Sequence, residues 1–218
     1  MEVILDLNRY IDYTNLKVDA TLKDIEALCN TAIKYSFQSV CVSPYYVRLA
    51  KELLKDTNVL VTTVVGFPLG YNTTSTKAYE AIEAVNNGAD EIDFVINIQA
   101  LKNKDYEYIK NEIEEIRDSI DGKTLKVIIE TCYLSEQEII KMTEICNETF
   151  VNFIKTSTGF GSRGCSLEDI DIINKHKNEI LEIKASGGIR DFDFACKLIE
   201  KGVTRLGVSN IDSLKGEK

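Results

Sequence analysis

The chain has 218 residues, 44% hydrophobic and 28% charged, which suits one folded domain with a sizeable core and excludes a disordered chain. No apolar run approaches the ~18–20 residues that span a bilayer, and the start, MEVILDLNRY, has no basic region ahead of an apolar stretch, so neither a membrane segment nor a signal peptide is expected and the setting is read as cytoplasmic. A net charge of −9 excludes the clustered Lys and Arg that hold nucleic-acid backbones; an anionic substrate has to be held locally.

Along the chain, short apolar runs alternate with longer segments of 3.6-residue spacing. A first run near residues 9–13 is followed by a helix over 21–35, and strands are expected at Ser39–Val42 and Leu60–Val65. A helix over 73–87 has Ala78, Ile82 and Val85 on one face and stops at Gly88. A strand over 91–96 precedes a helix over 103–120, with Ile109, Ile113 and Ile116 on the core face and Asp121-Gly122 ending it. After a strand at 125–129, Ser135 and Glu138 have the spacing of a capping box for a helix over 135–146. Strands at 151–154, 181–185 and 204–208 complete the series, with a helix over 191–200 between the last two.

Repeated strand-then-helix units imply parallel strands with crossover helices. Eight strands predict an α/β fold of the (β/α)8 TIM-barrel type, a single domain over residues 1–218 with a short strand and helix at its start. An open doubly wound sheet is the alternative, and the absence of G-x-G-x-x-G after an early strand weakens its dinucleotide-binding version.

Six cysteines (Cys29, Cys41, Cys132, Cys146, Cys165, Cys196) are scattered without a C-x-x-C pair, and His176 is the only histidine. That inventory predicts reduced thiols and no zinc site. His176 itself reads as a solvated helix residue.

In a barrel of this type the active site lies at the C-terminal ends of the strands. Those ends offer Asp12 and Thr14, Cys41, Gly66-Phe67-Pro68, Asp93, Glu130-Thr131, Lys155-Thr156-Ser157, Lys184 with Ser186, and Ser209-Asn210. Lys155 and Lys184 stand out because lysine is rarely buried, yet each follows an apolar strand sequence. Either alone could be a stem whose ammonium snorkels to water. Two on successive strands bring their charges together. At ~5 Å and an effective dielectric near 20 they repel by ~3 kcal/mol, or ~2 pKa units, and desolvation pushes the same way. One lysine can then be a neutral nucleophile for a carbonyl and the other its pKa-lowering partner; the residues alone do not say which. Asp93 shares a face with Glu91 and Val95 in a strand whose other face is apolar. It is either a proton carrier beside the lysines or a structural ion pair with Lys184.

The Gly187-Gly188 turn after the seventh strand and Ser209-Asn210 after the eighth are placed where barrels hold phosphate with backbone N–H groups, and Thr158-Gly159 after Lys155 can add donors.

These segments resemble a known family. Val64-Val65-Gly66-Phe67-Pro68-Leu69-Gly70, Gly88-Ala89-Asp90-Glu91-Ile92-Asp93, Lys126-Val127-Ile128-Ile129-Glu130-Thr131-Cys132, Ile154 through Gly161 and Lys184 through Arg190 occur in the order found in deoxyribose-phosphate aldolases. The resemblance runs from about Ile11 to Asn210. It implies a class I aldolase without metal or organic cofactor, interconverting 2-deoxy-D-ribose 5-phosphate with acetaldehyde and D-glyceraldehyde 3-phosphate in nucleoside catabolism. By similarity, Lys155 forms the Schiff base, Lys184 lowers its pKa and joins proton transfer, and Asp93 relays protons through water. Gly187, Gly188 and Ser209 look like the phosphate site, and Asp12 and Thr14 match positions near substrate hydroxyls. A homo-oligomer, dimer or tetramer, is implied. Tyr13 stands where the family often has histidine, Asn210 where it usually has serine and Gln99 where it often has glycine. The tail has no C-terminal tyrosine of the kind some members carry. A second enzyme of the same lysine-barrel type, or a non-catalytic phosphosugar-binding protein, are the competing readings.

Overall fold

The computed structural model describes residues 7–214; the first six residues and the tail from Lys215 onward, with the expectation about its end, lie outside the described residues. Eight parallel strands close into a barrel in simple sequence order: β1 (Ile11–Asn15), β2 (Ser39–Val42), β3 (Leu60–Val65), β4 (Glu91–Val95), β5 (Thr124–Ile128), β6 (Phe153–Lys155), β7 (Glu182–Ser186) and β8 (Arg205–Val208). Closure comes from β1, in which Asp12 pairs with Ser39 on one side and with Gly207 on the other.

Main helices form the outer layer: α1 (Leu22–Tyr35), α2 (Val47–Leu53), α3 (Thr74–Asn86), α4 (Ile98–Lys102), α5 (Tyr106–Ser119), α6 (Glu136–Glu148), α7 (Leu167–His176) and α8 (Phe192–Glu200). The longer ones present an apolar stripe to the sheet, such as Ile25, Leu28, Cys29 and Ala32 of α1. Their starts follow local chemistry. Thr21 with Asp24, Ser135 with Glu138 and Ser166 with Asp169 form reciprocal capping boxes. Outward-facing strand residues Val40, Val61, Ile92, Phe94, Val127, Ile154 and Ile183 are buried under these helices.

Three expectations shift. The first strand lies two residues later than expected, because residues 8–10 form a 3-10 turn that feeds the pairing with β2 and β8. The sixth strand is Phe153–Lys155, so Lys155 lies within the sheet and not after it. The helix expected over 103–120 starts three residues later, at Tyr106, and a short helix that the sequence did not lead us to expect, Ile98–Lys102, precedes it. Lys104 turns the chain with φ of 58°, and the Asp105 carboxylate then caps a new helix by accepting from the Tyr108 N–H at 3.2 Å. His176 is exposed at the end of α7, and all six cysteines are free thiols. Among the described residues no helix is long and apolar enough to cross a membrane.

Candidate active site

The site grows from strand register. Lys155 of β6 is the direct partner of Lys184 on β7, and Asp93 of β4 is the partner of Lys126 on β5. These side chains point into the lumen, whose polar layers replace the usual branched apolar filling. Lys155 Nζ and Lys184 Nζ donate to the same oxygen of Asp93, at 2.8 and 2.7 Å. The two amines are therefore separated by no more than two hydrogen-bond lengths. Lys126 Nζ takes the other oxygen of Asp93 at 2.9 Å.

Beneath this trio the charges continue. Lys126 also binds Glu91 at 2.6 Å, Arg205 binds Glu91 at 2.6 Å and Asp12 at 2.6 Å, and Asp12 returns to Lys184. Asp12, Lys184, Asp93, Lys126, Glu91 and Arg205 thus make a closed ring of alternating sign. Ser39 and Thr62 fill remaining acceptor positions: Ser39 donates to Asp12 at 2.7 Å and Thr62 to Glu91 at 2.7 Å. Lys155 stands outside the ring, attached to Asp93 alone among the carboxylates.

The lysines differ electrostatically. Burial depresses the Lys155 ammonium, Asp93 opposes that and Lys184 adds to it, so the group lies below the usual lysine range. Burial would depress Lys184 as well, but Asp12 and Asp93 outweigh it and hold Lys184 above that range. Burial alone would raise Asp93; the three ammonium groups hold it well below the carboxylate range instead. Cys41, buried in the same lumen, has its thiol pushed up by desolvation.

A cavity of about 520 Å³ opens above Lys155, lined by Thr14, Thr158, Gly159, Gly187, Gly188 and Ser209. These are residues expected from the sequence to hold the substrate, now brought together from β1 and the loops after β6, β7 and β8. Gly187 and Gly188 both have φ of 76°, a conformation that turns successive N–H groups outward at little cost only for glycine. Asp12 does not line the cavity; it sits behind Lys184. Asn210 is exposed and also away from the lining, with its side-chain oxygen accepting from the Asp212 N–H at 2.9 Å. Tyr13 is on the cavity wall. A wider hollow of about 730 Å³ lies at the opposite end of the barrel, where Lys51 is already paired with Asp90 at 2.7 Å.

The β6 loop is held from behind. Glu130, buried with φ of 51°, accepts from the Thr158 N–H at 3.2 Å and from its hydroxyl. Thr158 Oγ1 in turn accepts from the Phe160 N–H at 3.0 Å, and the Phe160 ring meets Phe67 edge-on at 5.4 Å across the mouth. Arg163 reaches Asp169 at 2.6 Å.

Sequence reasoning singled out Lys155, Lys184, Asp93 and the loop residues but passed over Lys126, Glu91 and Arg205 as members of the charge set. The available signal was the one that exposed Lys155: Lys126 and Arg205 are cations inside the apolar runs of β5 and β8.

A parallel barrel with two lysines on one buried carboxylate, beneath an open cavity, defines an enzyme of the aldolase class. Residues 7–207 match the DeoC/LacD family aldolase profile, and the chain belongs to that family. It is 54% identical over 197 residues to the deoxyribose-phosphate aldolase of Metamycoplasma hominis, covering 90% of this chain and 91% of that one. Among solved structures it resembles "QR15, an Aldolase" (TM-score 0.90, 44% identity, 94% of this chain and 91% of that one). It also resembles the tetrameric deoxyribose phosphate aldolase of Aeropyrum pernix (TM-score 0.90, 26% identity, 98% of this chain and 91% of that one).

Proposed function

We propose that this chain is a class I aldolase that reversibly cleaves 2-deoxy-D-ribose 5-phosphate to D-glyceraldehyde 3-phosphate and acetaldehyde through a Schiff base on Lys155, the whole chain acting as one catalytic domain. The observation that carries the reading is the shared Asp93 oxygen. It puts two lysines in contact with one carboxylate while only Lys155 reaches the cavity.

Neutral Lys155 attacks the C1 aldehyde of the open-chain sugar, and loss of water leaves a protonated imine. A base takes the C3 hydroxyl proton, the C2–C3 bond breaks, and its electron pair moves into the imine to give an enamine. D-glyceraldehyde 3-phosphate leaves. Protonation of the enamine at C2 and hydrolysis then release acetaldehyde and restore the amine. The imine is the electron sink, so this chemistry calls for neither metal nor organic cofactor.

Lys184, kept charged by Asp12 and Asp93, lowers the Lys155 pKa and, with Asp93 and water, carries the protons. Asp12 acts through Lys184. Thr14 faces the sugar hydroxyls, and Thr158, Gly159, Gly187, Gly188 and Ser209 receive the phosphate, with Asn210 at the edge of that site. A non-catalytic sugar-binding protein would have no use for two buried lysines beside its ligand. The likeness to a tetrameric relative supports a homo-oligomer, and a cytoplasmic setting in nucleoside breakdown fits the substrate.

Cleavage rates on 2-deoxyribose 5-phosphate and on unphosphorylated 2-deoxyribose test the assignment. The phosphate is expected to raise kcat/KM by at least ~100-fold, and Lys155→Ala to abolish turnover on both. Equal rates on the two sugars would point to a different aldehyde substrate.

A further inference from the structure

The cavity is only the upper surface of the charged lumen; below it, Lys126, Glu91 and Arg205 are not among the residues that line the cavity. A reaction at Lys155 gives these three no direct task, yet burying them is costly unless every charge is compensated. Compensation is complete in an unusual way. Lys184 bridges Asp12 and Asp93, Lys126 bridges Asp93 and Glu91, and Arg205 bridges Glu91 and Asp12. Each cation of the ring has two carboxylate partners and each carboxylate has two ring cations. The ring is neutral by itself, and Lys155 is the seventh charge.

We propose that Lys126, through its bridge between Asp93 and Glu91, is a positioning residue that keeps Lys155 in its nucleophilic, neutral form by completing this ring. An inference of this kind rests on Lys155 being the Schiff-base lysine. Around Lys155, the groups on every packed strand enter the count. They are Asp12 on β1, Cys41 on β2, Glu91 and Asp93 on β4, Lys126 on β5, Lys184 on β7 and Arg205 on β8. Cys41 contributes no charge while its thiol is protonated. The three carboxylates balance three cations, so a protonated Lys155 leaves the buried lumen with one positive charge too many and a neutral Lys155 leaves it with none. Geometry selects Lys155 for proton loss because it alone among the four cations has a single carboxylate partner, and that partner is already held by two other ammonium groups.

The arrangement makes predictions of opposite sign at two residues that do not touch Lys155. Lys126→Met removes a cation, so Lys155 holds its proton more tightly. Glu91→Gln removes an anion, so Lys155 releases its proton more easily. The double variant restores the balance.

The test is the pH dependence of borohydride capture of acetaldehyde on Lys155, read by the mass of the Lys155 peptide, in wild type, Lys126→Met, Glu91→Gln and the double variant. Folding of each is checked by circular dichroism. The capture midpoint is expected to move up by about one to two pH units in Lys126→Met, down by about one unit in Glu91→Gln, and back near wild type in the double variant. Shifts in the same direction, or none, in folded variants would overturn the ring's role. If Lys126→Met fails to fold, the downward shift of Glu91→Gln and the restored midpoint of the double variant still decide the matter. No adduct on Lys155 in the wild type would instead overturn the assignment of the nucleophile.

Discussion

Replacing Lys184 with methionine keeps an unbranched apolar stem, one atom shorter, and removes the charge to which much of the Lys155 reactivity is assigned. Both amines bind one Asp93 oxygen, which corresponds to a separation of ~5 Å and a mutual repulsion of ~3 kcal/mol at an effective dielectric near 20. Losing it raises the Lys155 pKa by ~2 units. The newly undercompensated Asp93 and Asp12 act in the same direction. At pH values below the wild-type midpoint the neutral fraction of Lys155 then falls ~100-fold. Turnover is the wrong assay, because Lys184 is also assigned a part in proton transfer and its loss would slow cleavage at every pH. The rate of imine formation with acetaldehyde, followed by borohydride capture from pH 6 to 10, isolates the electrostatic effect. A midpoint that stays in place or moves down, in protein that is folded, would refute the reasoning.

Other perturbations probe the support of the site. Lys77 and Glu112 form a fully buried pair at 2.7 Å outside the barrel lumen, with Lys77 also donating to the Val95 carbonyl at 2.8 Å. Lys77→Met leaves a buried carboxylate unpaired and is expected to cost about 3–5 kcal/mol in urea unfolding; adding Glu112→Met should recover most of that loss, and no recovery would contradict the pairing argument. A Cβ on Gly164 would lie 2.0 Å from the Gly187 carbonyl oxygen, so Gly164→Ala forces the β6 and β7 loops apart. The expected result is a KM for phosphorylated sugar raised about tenfold or more, with acetaldehyde capture unaffected. Glu130→Ala frees Thr158 and should likewise raise that KM by about tenfold. A purely electrostatic effect of removing an anion near the phosphate would lower it.

The eight strands and the long helices were legible because each carries its own period and several helices carry a capping residue or a glycine stop, whereas the short helices Val47–Leu53 and Ile98–Lys102 carry too little of either. Thr21, Ser135 and the Gly88 stop fix their helices within one or two residues of the observed ends. The later start of the Tyr106–Ser119 helix was not, since a lysine at positive φ, such as Lys104, leaves no mark in composition. The lysine pair could be read from two cations in apolar runs, and its closeness follows from parallel register between successive strands. The ring could not, because Asp12, Glu91 and Arg205 meet only when β8 closes on β1 and the strands tilt, a long-range consequence of barrel geometry. Asp12 was expected near the substrate on the strength of resemblance; its place behind Lys184 is decided by side-chain direction in β1, which strand length alone does not set.

Incubation with acetaldehyde, reduction with borohydride and mapping of the modified peptide ask directly which lysine forms the Schiff base. A reduced two-carbon adduct on Lys155 is expected. An adduct on Lys184 would reverse the two lysine roles, and no adduct on either, in folded protein, would contradict Schiff-base catalysis at this site.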